Sequence, residues 1–380
     1  MGRFPRNEII SLLDVNRRLN LAESTSYDLT LGDLLAMIDV EELRALRLGY
    51  GSAAGLSDLR ELAAEVCGVT SQSVLTTQGT ALGLFLLAFE LCGGGGEAVL
   101  QTPCFPPSRD ALIACGATVI ESPCRFDDGY QLDIDQCVAA LTPRTCLVSI
   151  GSPQNPSGVS VSVERLTRLL AAMKGVCPEA YLFVDETYRE AVYGDAATPP
   201  SSASLDPRVV VGTSVSKAHG APGLRVGWLT VQDADLYERL KVAKMNTVIC
   251  GSVVDETLAA GVIRHRNRLL ATRRDLLARG LSMVETWHGR ERHRVDWVRP
   301  DGGALCCMRL RRDAFSAKAV ERFWHVLPDL ELQLAPGTWF GEGSEVFRLG
   351  FGYLPQEVLS EALGALSKAM DQALVEGPVD

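Results

Sequence analysis

The stretch VVVGTSVSKAHGAPGLRVGWL, residues 209–229, decides how this chain is read. Its valines follow the pattern of a fully buried strand, and the polar exit Thr213-Ser214-Val215-Ser216 leads to a single lysine, Lys217. Continuous apolar runs of this kind belong to parallel sheets covered on both faces, whose ligands collect beyond the carboxyl ends of the strands. A lone lysine after a strand is ordinarily a solvated surface residue. The surrounding chain has to decide between the two readings.

Outward from this stretch, short apolar runs alternate with longer helical patterns: SVLTT with ALGLFLLAFELC, AVLQTP with SRDALIAC, TCLVSIGSP with ERLTRLLAAMKG, then AYLFVDE, RVVVGTSVS and RVGWLTV. That alternation predicts an α/β fold with a mainly parallel sheet wrapped by helices. Each strand exit delivers a different chemical group. SVLTT ends at Gln78-Gly79-Thr80, where the free N–H groups of a following helix could cradle a phosphate. AVLQ ends at Pro103-Cys104-Phe105, an aromatic at the rim. The next exit carries the turn-prone Gln154-Asn155-Pro156-Ser157-Gly158, and YLFV runs into Asp185-Glu186-Thr187-Tyr188. One crevice would then hold a phosphate seat, an aromatic face, an amide, a carboxylate, a phenol, a lysine and Arg225. A Schiff-base lysine, an acidic partner for a ring nitrogen and a phosphate cradle together describe pyridoxal 5'-phosphate better than any nucleotide.

The segment SVSKAHGAPGLRVGW follows the form S-x-S-K-x-x-G-x-x-G-L-R-x-G and resembles the lysine motif of fold-type-I pyridoxal-phosphate enzymes of the class I/II aminotransferase family. YGSAAGLSDLRELAA, TTQGTALGL, PQNPSG, FVDETYRE and FRLGFGY extend the resemblance, in the family's order, over residues 50–351. The resemblance implies a three-layer sandwich with a smaller α+β domain. Residues 46–270 would form the large cofactor-binding domain, and residues 1–45 with 271–380 the small domain and its N-terminal active-site segment.

Carried onto matching positions, the resemblance gives Lys217 the role of Schiff-base lysine and Asp185 that of the carboxylate paired with the pyridine nitrogen. Asn155 and Tyr188 correspond to the pair on the ring's phenolic oxygen, and Phe105 to the aromatic stacked on the ring. Gly79, Thr80, Ser214, Ser216 and Arg225 correspond to the phosphate cup. Tyr50 resembles the tyrosine that reaches the phosphate of the neighbouring subunit, which implies a homodimer with a shared active site. Arg348 matches the arginine that clamps a substrate α-carboxylate, so an α-amino acid and its keto acid are the implied small-molecule partners. Taken singly, several of these have plainer readings: Asp185 a helix cap, Tyr188 and Phe105 core aromatics, Asn155 a turn residue, Arg348 an ion-pair partner.

Composition limits the alternatives. The chain has 380 residues, 47% hydrophobic, enough to bury a large core, and its formal net charge is −10 with mixed signs throughout. A nucleic-acid partner needs a clustered cationic face, and none is visible. No apolar stretch reaches a membrane span, and MGRFPRNEIISLL lacks the pattern of a secretory leader, which predicts a cytoplasmic protein. The 11 cysteines are scattered singly and read as small buried apolar residues in a reducing compartment. The 5 histidines have no neighbours at metal-ligand spacing, so no metal site is expected.

LAAGVIRHRNRLLATRRDLLARGLSMV reads as one long helix toward the small domain, with Arg264, Arg266, Arg268, Arg273 and Arg274 as a solvated face. The least generic segment is LNLAESTSYDLTLGDLL, residues 19–35, in which the family's usual G-x-P opening is absent. It reads either as an N-capped connection into a short helix or as a flap that brings Asn20, Ala22, Glu23 and Ser24 to the substrate. Its arrangement resembles relatives of the capreomycidine-synthase type in specialised metabolism. Transamination is therefore the first expectation, with elimination, replacement or cyclisation as the alternative on the same scaffold. A non-catalytic ligand-binding relative is a third reading, against which the intact lysine, aspartate and arginine stand.

Overall fold

The computed structural model of the protein describes residues 3–15 and 17–375. Its first strand is β1 (Leu19–Asn20), followed by β2 (Val74–Thr77), β3 (Glu97–Thr102), β4 (Thr118–Pro123), β5 (Thr145–Gly151), β6 (Tyr181–Asp185), β7 (Val209–Ser214) and β8 (Gly227–Val231). Strands β2 to β8 form one seven-stranded sheet in the order β2-β8-β7-β6-β5-β3-β4. All pairings are parallel except those of β8, which runs antiparallel to both β2 and β7. The carboxyl ends of the other six strands therefore share one edge of the sheet.

Strand β7 explains why the valine run reads as buried. Val209 and Val211 face one apolar layer and Val210 the other, and every residue of the strand is buried. A fully buried side chain of this size stabilises the fold by about 2 kcal/mol. One layer is built from helices Ser57–Cys67, Val163–Val176 and Val253–Arg264, the other from Gly79–Cys92 and Ala234–Val248. Register then lines up the exits: Gly151 stands opposite Asp185, and Asp185 opposite Gly212. The mainly parallel α/β sandwich expected from the sequence is the architecture found.

A second, four-stranded antiparallel sheet comes from the C-terminal part, β9 (Val295–Val298), β10 (Leu305–Leu310), β12 (Ala335–Pro336) and β13 (Val346–Gly350), in the order β12-β13-β10-β9. Between them in sequence, β11 (Leu332–Gln333) pairs in parallel with β1. Helices Arg266–Glu291, Ala317–Val326 and Gln356–Leu374 pack on this unit around Met308, Phe323, Phe347 and Leu366.

Two expectations change. The long helical run breaks at His265, whose φ of −99° and ψ of 12° leave the helical region, giving Val253–Arg264 and Arg266–Glu291. The break re-aims the apolar face: Leu258 and Ile263 pack under the large sheet, Leu277 and Leu281 under the small one. Arg273 is not part of a solvated face, since it is 1% exposed and bonded to the N-terminal segment. The N-terminal residues are divided between layers. Leu19 and Leu21 pack with the small sheet, but Leu34, Met37, Ile38 and Leu43 pack against the large-sheet core, because the short helix Leu31–Leu35 presents its apolar side there. Among the described residues, no helix is long and apolar enough to cross a membrane.

Candidate active site

The exits of β2, β5, β6 and β7 bring most of the expected residues to one cleft. At the end of β2, Gly79 has φ +71° and starts the 14-residue helix Gly79–Cys92. An added Cβ there would lie 2.6 Å from Arg225 Nη2, so the guanidinium sits directly over the helix start. A helix N-terminus with an arginine across it is a seat for an anion. Arg225 adopts φ +52° in the turn after Pro222–Leu224, and its Nη1 donates to the Pro222 carbonyl at 2.9 Å. Ser214 closes β7, and its hydroxyl accepts from the Ser216 amide at 3.3 Å. The Ser216 hydroxyl has no hydrogen-bond partner among the described residues.

Asp185 ends β6. Its Oδ1 accepts from the Thr187 amide at 3.0 Å and from the Thr187 hydroxyl at 2.5 Å. The Thr187 hydroxyl also lies 3.1 Å from that of Thr80, which ties the carboxylate to the helix start. Burial raises the Asp185 pKa above the ordinary carboxylate value, with the Thr187 bonds opposing it. Asp185 Oδ2 takes no hydrogen bond from the described residues. Phe105, which caps the helix Pro106–Ala114, lines the same cleft as Asn155, Asp185 and Tyr188.

Lys217 Nζ donates to the Ser24 hydroxyl at 3.0 Å, and the Tyr188 hydroxyl donates to the same Ser24 oxygen at 3.0 Å. Asn155 Nδ2 lies 3.4 Å from the Tyr188 oxygen, while Asn155 Oδ1 accepts from Arg348 Nη1 at 2.9 Å. Arg348 is 1% exposed, donates through Nη2 to the Ala22 carbonyl, and stacks over the Phe340 ring at 4.9 Å. Thus one hydrogen-bonded chain runs from the lysine of the large sheet to the arginine of the small one. The N-terminal segment takes part in it through Ser24 and Ala22. It is held against β13 where Gly350 leaves no room for a Cβ beside the Glu23 carbonyl.

Of the remaining candidates, Tyr50 stays apart from this cleft, and Glu23 meets it through its charge, which acts on Arg348. Tyr50 is 87% exposed and touches none of it within this chain. Glu23 is partly buried beside Ser24, but its carboxylate makes no hydrogen bond among the described residues. The sequence reading missed Thr187, although it lies inside the quoted FVDETYRE, because a hydroxyl there carries no chemistry until its reach to both Asp185 and Thr80 is known. Phe340 and Ser26 were missed for the same reason.

The sheet order, the strand-exit residues and the phosphate-type seat define an enzyme scaffold of one kind, and the chain belongs to the class I and II aminotransferase family, whose model matches residues 19–366. A capreomycidine synthase of Streptomyces vinaceus is 28% identical over 358 residues, covering 93% of this chain and 90% of that one. The fold superposes on a PLP-dependent aminotransferase from Streptococcus suis with a TM-score of 0.88 at 23% identity, over 98% of this chain and 100% of that one. A PLP-dependent cyclase gives a TM-score of 0.82 at 25% identity, over 93% and 92% of the two chains.

Proposed function

We propose that this protein is a pyridoxal-phosphate-dependent enzyme acting on an α-amino acid, in the first instance an aminotransferase, with Lys217 as the reacting amine. The observation that carries the reading is the continuous polar chain Lys217–Ser24–Tyr188–Asn155–Arg348 at the carboxyl edge of the sheet.

The donor set fits the cofactor. Its phosphate suits the helix start at Gly79 and Thr80 with the Arg225 fork and Ser214, and its ring nitrogen suits Asp185, whose Oδ1 is committed and whose Oδ2 is not. Phe105 offers an aromatic face, and Asn155 and Tyr188 offer donors for the phenolic oxygen. When bound, pyridoxal phosphate supplies an electron sink that lowers the barrier to breaking a bond at the amino acid Cα.

The remaining work belongs to the chain. Arg348, held by Asn155, Ala22 and Phe340, presents its fork to the substrate α-carboxylate. Lys217 Nζ would accept the proton leaving the substrate Cα and later give it up again, which is general base and acid work by one amine. Ser24 and Tyr188 keep that amine oriented. We further infer a homodimer in which the exposed Tyr50 serves the partner's phosphate seat, and a cytoplasmic enzyme, in line with its scattered, unpaired thiols. The functional division proposed is a large cofactor-binding unit over about residues 46–270 and a small unit from both chain ends.

A second reading, elimination, replacement or cyclisation of an amino acid side chain, is favoured by the Ser24 hydroxyl at the reacting amine and by the names of the capreomycidine synthase and cyclase relatives. The deciding experiment incubates the holoenzyme with a panel of amino acids, arginine derivatives and S-adenosylmethionine included, and follows products by mass spectrometry. Keto acid release with amination of the cofactor means transamination. Loss of a side-chain group or ring closure without amination means the second reading. If none of the panel reacts and Lys217 is not labelled by reductive trapping, the proposal fails.

A further inference from the structure

The N-terminal strap of residues 20–29 is pinned at both ends by backbone hydrogen bonds. On the small sheet, the Gly350 amide donates to the Leu21 carbonyl at 2.7 Å. On the large sheet, the Leu29 amide donates to the Gly220 carbonyl at 2.8 Å, three residues beyond Lys217. Between these points lies Arg273, carried by the helix Arg266–Glu291 that leads into the small unit.

Arg273 is 1% exposed, yet its guanidinium serves the strap rather than an acidic side chain. Nη1 donates to the Ser26 hydroxyl and, at 2.8 Å, to the Tyr27 carbonyl, and the plane stacks over the Tyr27 ring at 4.5 Å. Ser26 passes the connection on: its hydroxyl donates to the Lys217 carbonyl at 3.0 Å. Gly220 makes the approach possible, since with φ +67° it leaves no space for a Cβ beside the Arg273 guanidinium and the Tyr27 carbonyl. No salt bridge joins Arg273 to a carboxylate among the described residues, although burying such a charge is costly. Both bonds are made by Nη1, which lies one bond beyond the reach of a lysine Nζ, while Nε and Nη2 have no hydrogen-bond partner among the described residues.

We infer that Arg273 is a positioning residue for the reaction: by gripping Ser26 and Tyr27 it fixes the Lys217 backbone and keeps the Ser24 hydroxyl between Lys217 and Tyr188. The inference rests on the reading of Lys217 as the reacting amine. Its physical content is separate from that reading, because the strap contacts are all made within the chain itself. The small unit's helix thereby sets the geometry of a lysine on the large sheet.

The test compares wild-type holoenzyme with R273M, R273K and S26A by backbone hydrogen exchange and steady-state kinetics. In R273M the Leu29 amide should exchange at least tenfold faster, with no change in β7 or β10. kcat should fall at least tenfold while KM stays within about threefold, because Arg348 keeps Asn155, and the Ala22 end of the strap stays pinned by the Gly350–Leu21 hydrogen bond rather than by Arg273. R273K should fall as far, because its ammonium ends one bond short of the Nη1 position and offers no plane to the Tyr27 ring. S26A, which leaves the helix intact, should move both readouts in the same direction by a smaller factor, and it decides the matter if R273M fails to fold. Retained Leu29 protection with kcat within twofold of wild type would overturn the inference. So would full rescue by R273K, or a rise in KM alone. If wild-type Lys217 carries no pyridoxal phosphate, the proposed function fails, whereas the exchange result still judges the latch.

Discussion

Asn155 faces both sheets at once: its Oδ1 accepts from Arg348 Nη1 at 2.9 Å, and its Nδ2 lies 3.4 Å from the Tyr188 hydroxyl. One amide therefore orients a buried arginine from β13 and a phenol that follows β6. Replacing either partner disturbs the other, since a buried guanidinium left without an acceptor is costly. Arg348→Lys should lower kcat/KM for the amino acid about a hundredfold, roughly 2.7 kcal/mol, chiefly through KM. Steady-state kinetics on folded protein check this, and an unchanged KM would remove Arg348 from the substrate site.

Asp185→Ala should harm turnover far more than cofactor binding. The carboxylate is committed through Oδ1 to Thr187, so its remaining oxygen is the group proposed to serve the ring nitrogen. The prediction is contradicted if turnover survives within about tenfold, which corresponds to only about 1.4 kcal/mol of barrier.

Gly79→Ala should weaken the anion seat. The residue sits at φ +71°, and its added methyl would meet Arg225 Nη2 at 2.6 Å. Pyridoxal phosphate affinity, read by absorbance titration, should drop about tenfold or more, with pyridoxal lacking the phosphate much less affected. Equal losses for both compounds would place the phosphate elsewhere.

Tyr50 is predicted to act across a dimer. Tyr50 is 87% exposed, and Leu48 beside it is 81% exposed, so this apolar surface is open to the proposed partner. Tyr50→Ala should be inactive or weak alone, as should Lys217→Ala. Mixed dimers of the two should regain part of the activity, because one of the two sites would then be complete. Absence of complementation in a verified mixed dimer argues that each chain holds a whole site.

Acid stability should depend on His219. The imidazole is 2% exposed with the Glu190 carboxylate 3.4 Å away, and Arg189, Arg266 and Arg273 face it as cations. Burial holds its pKa below the usual value of about 6.5, against the pull of Glu190. The unfolded chain then takes up the proton first as pH falls. Stability from this residue is full above about pH 6.5 and declines as pH drops from there toward the folded value. His219→Asn should flatten the fall in Tm between about pH 7 and about pH 5. An equally steep fall would assign the acid sensitivity to other groups.

Much of this was legible in the sequence for a local reason. A strand's apolar run and the polar residues at its exit lie within ten positions of each other, so Lys217, Asp185, Asn155 and the Gly79 turn could be named from pattern and chemistry. Less local features were misread. The helical period continues through His265, and nothing in it announces the break that sends Leu258 and Leu277 into different cores. The five arginines around that break look alike in a one-dimensional view, although Arg264 pairs with Asp58 at the surface and Arg273 is buried.

By itself, then, the sequence determined the sheet, the order of its exits and the residue types brought to them, because backbone periodicity and side-chain burial act over short stretches. Only the tertiary structure decided which N-terminal residues meet the lysine. Ser24 reaches Lys217 across 193 positions, and Arg273 reaches Ser26 across 247. A hydrogen bond between such distant residues depends on how two sheets and a connecting helix pack, and packing is a property of the whole fold.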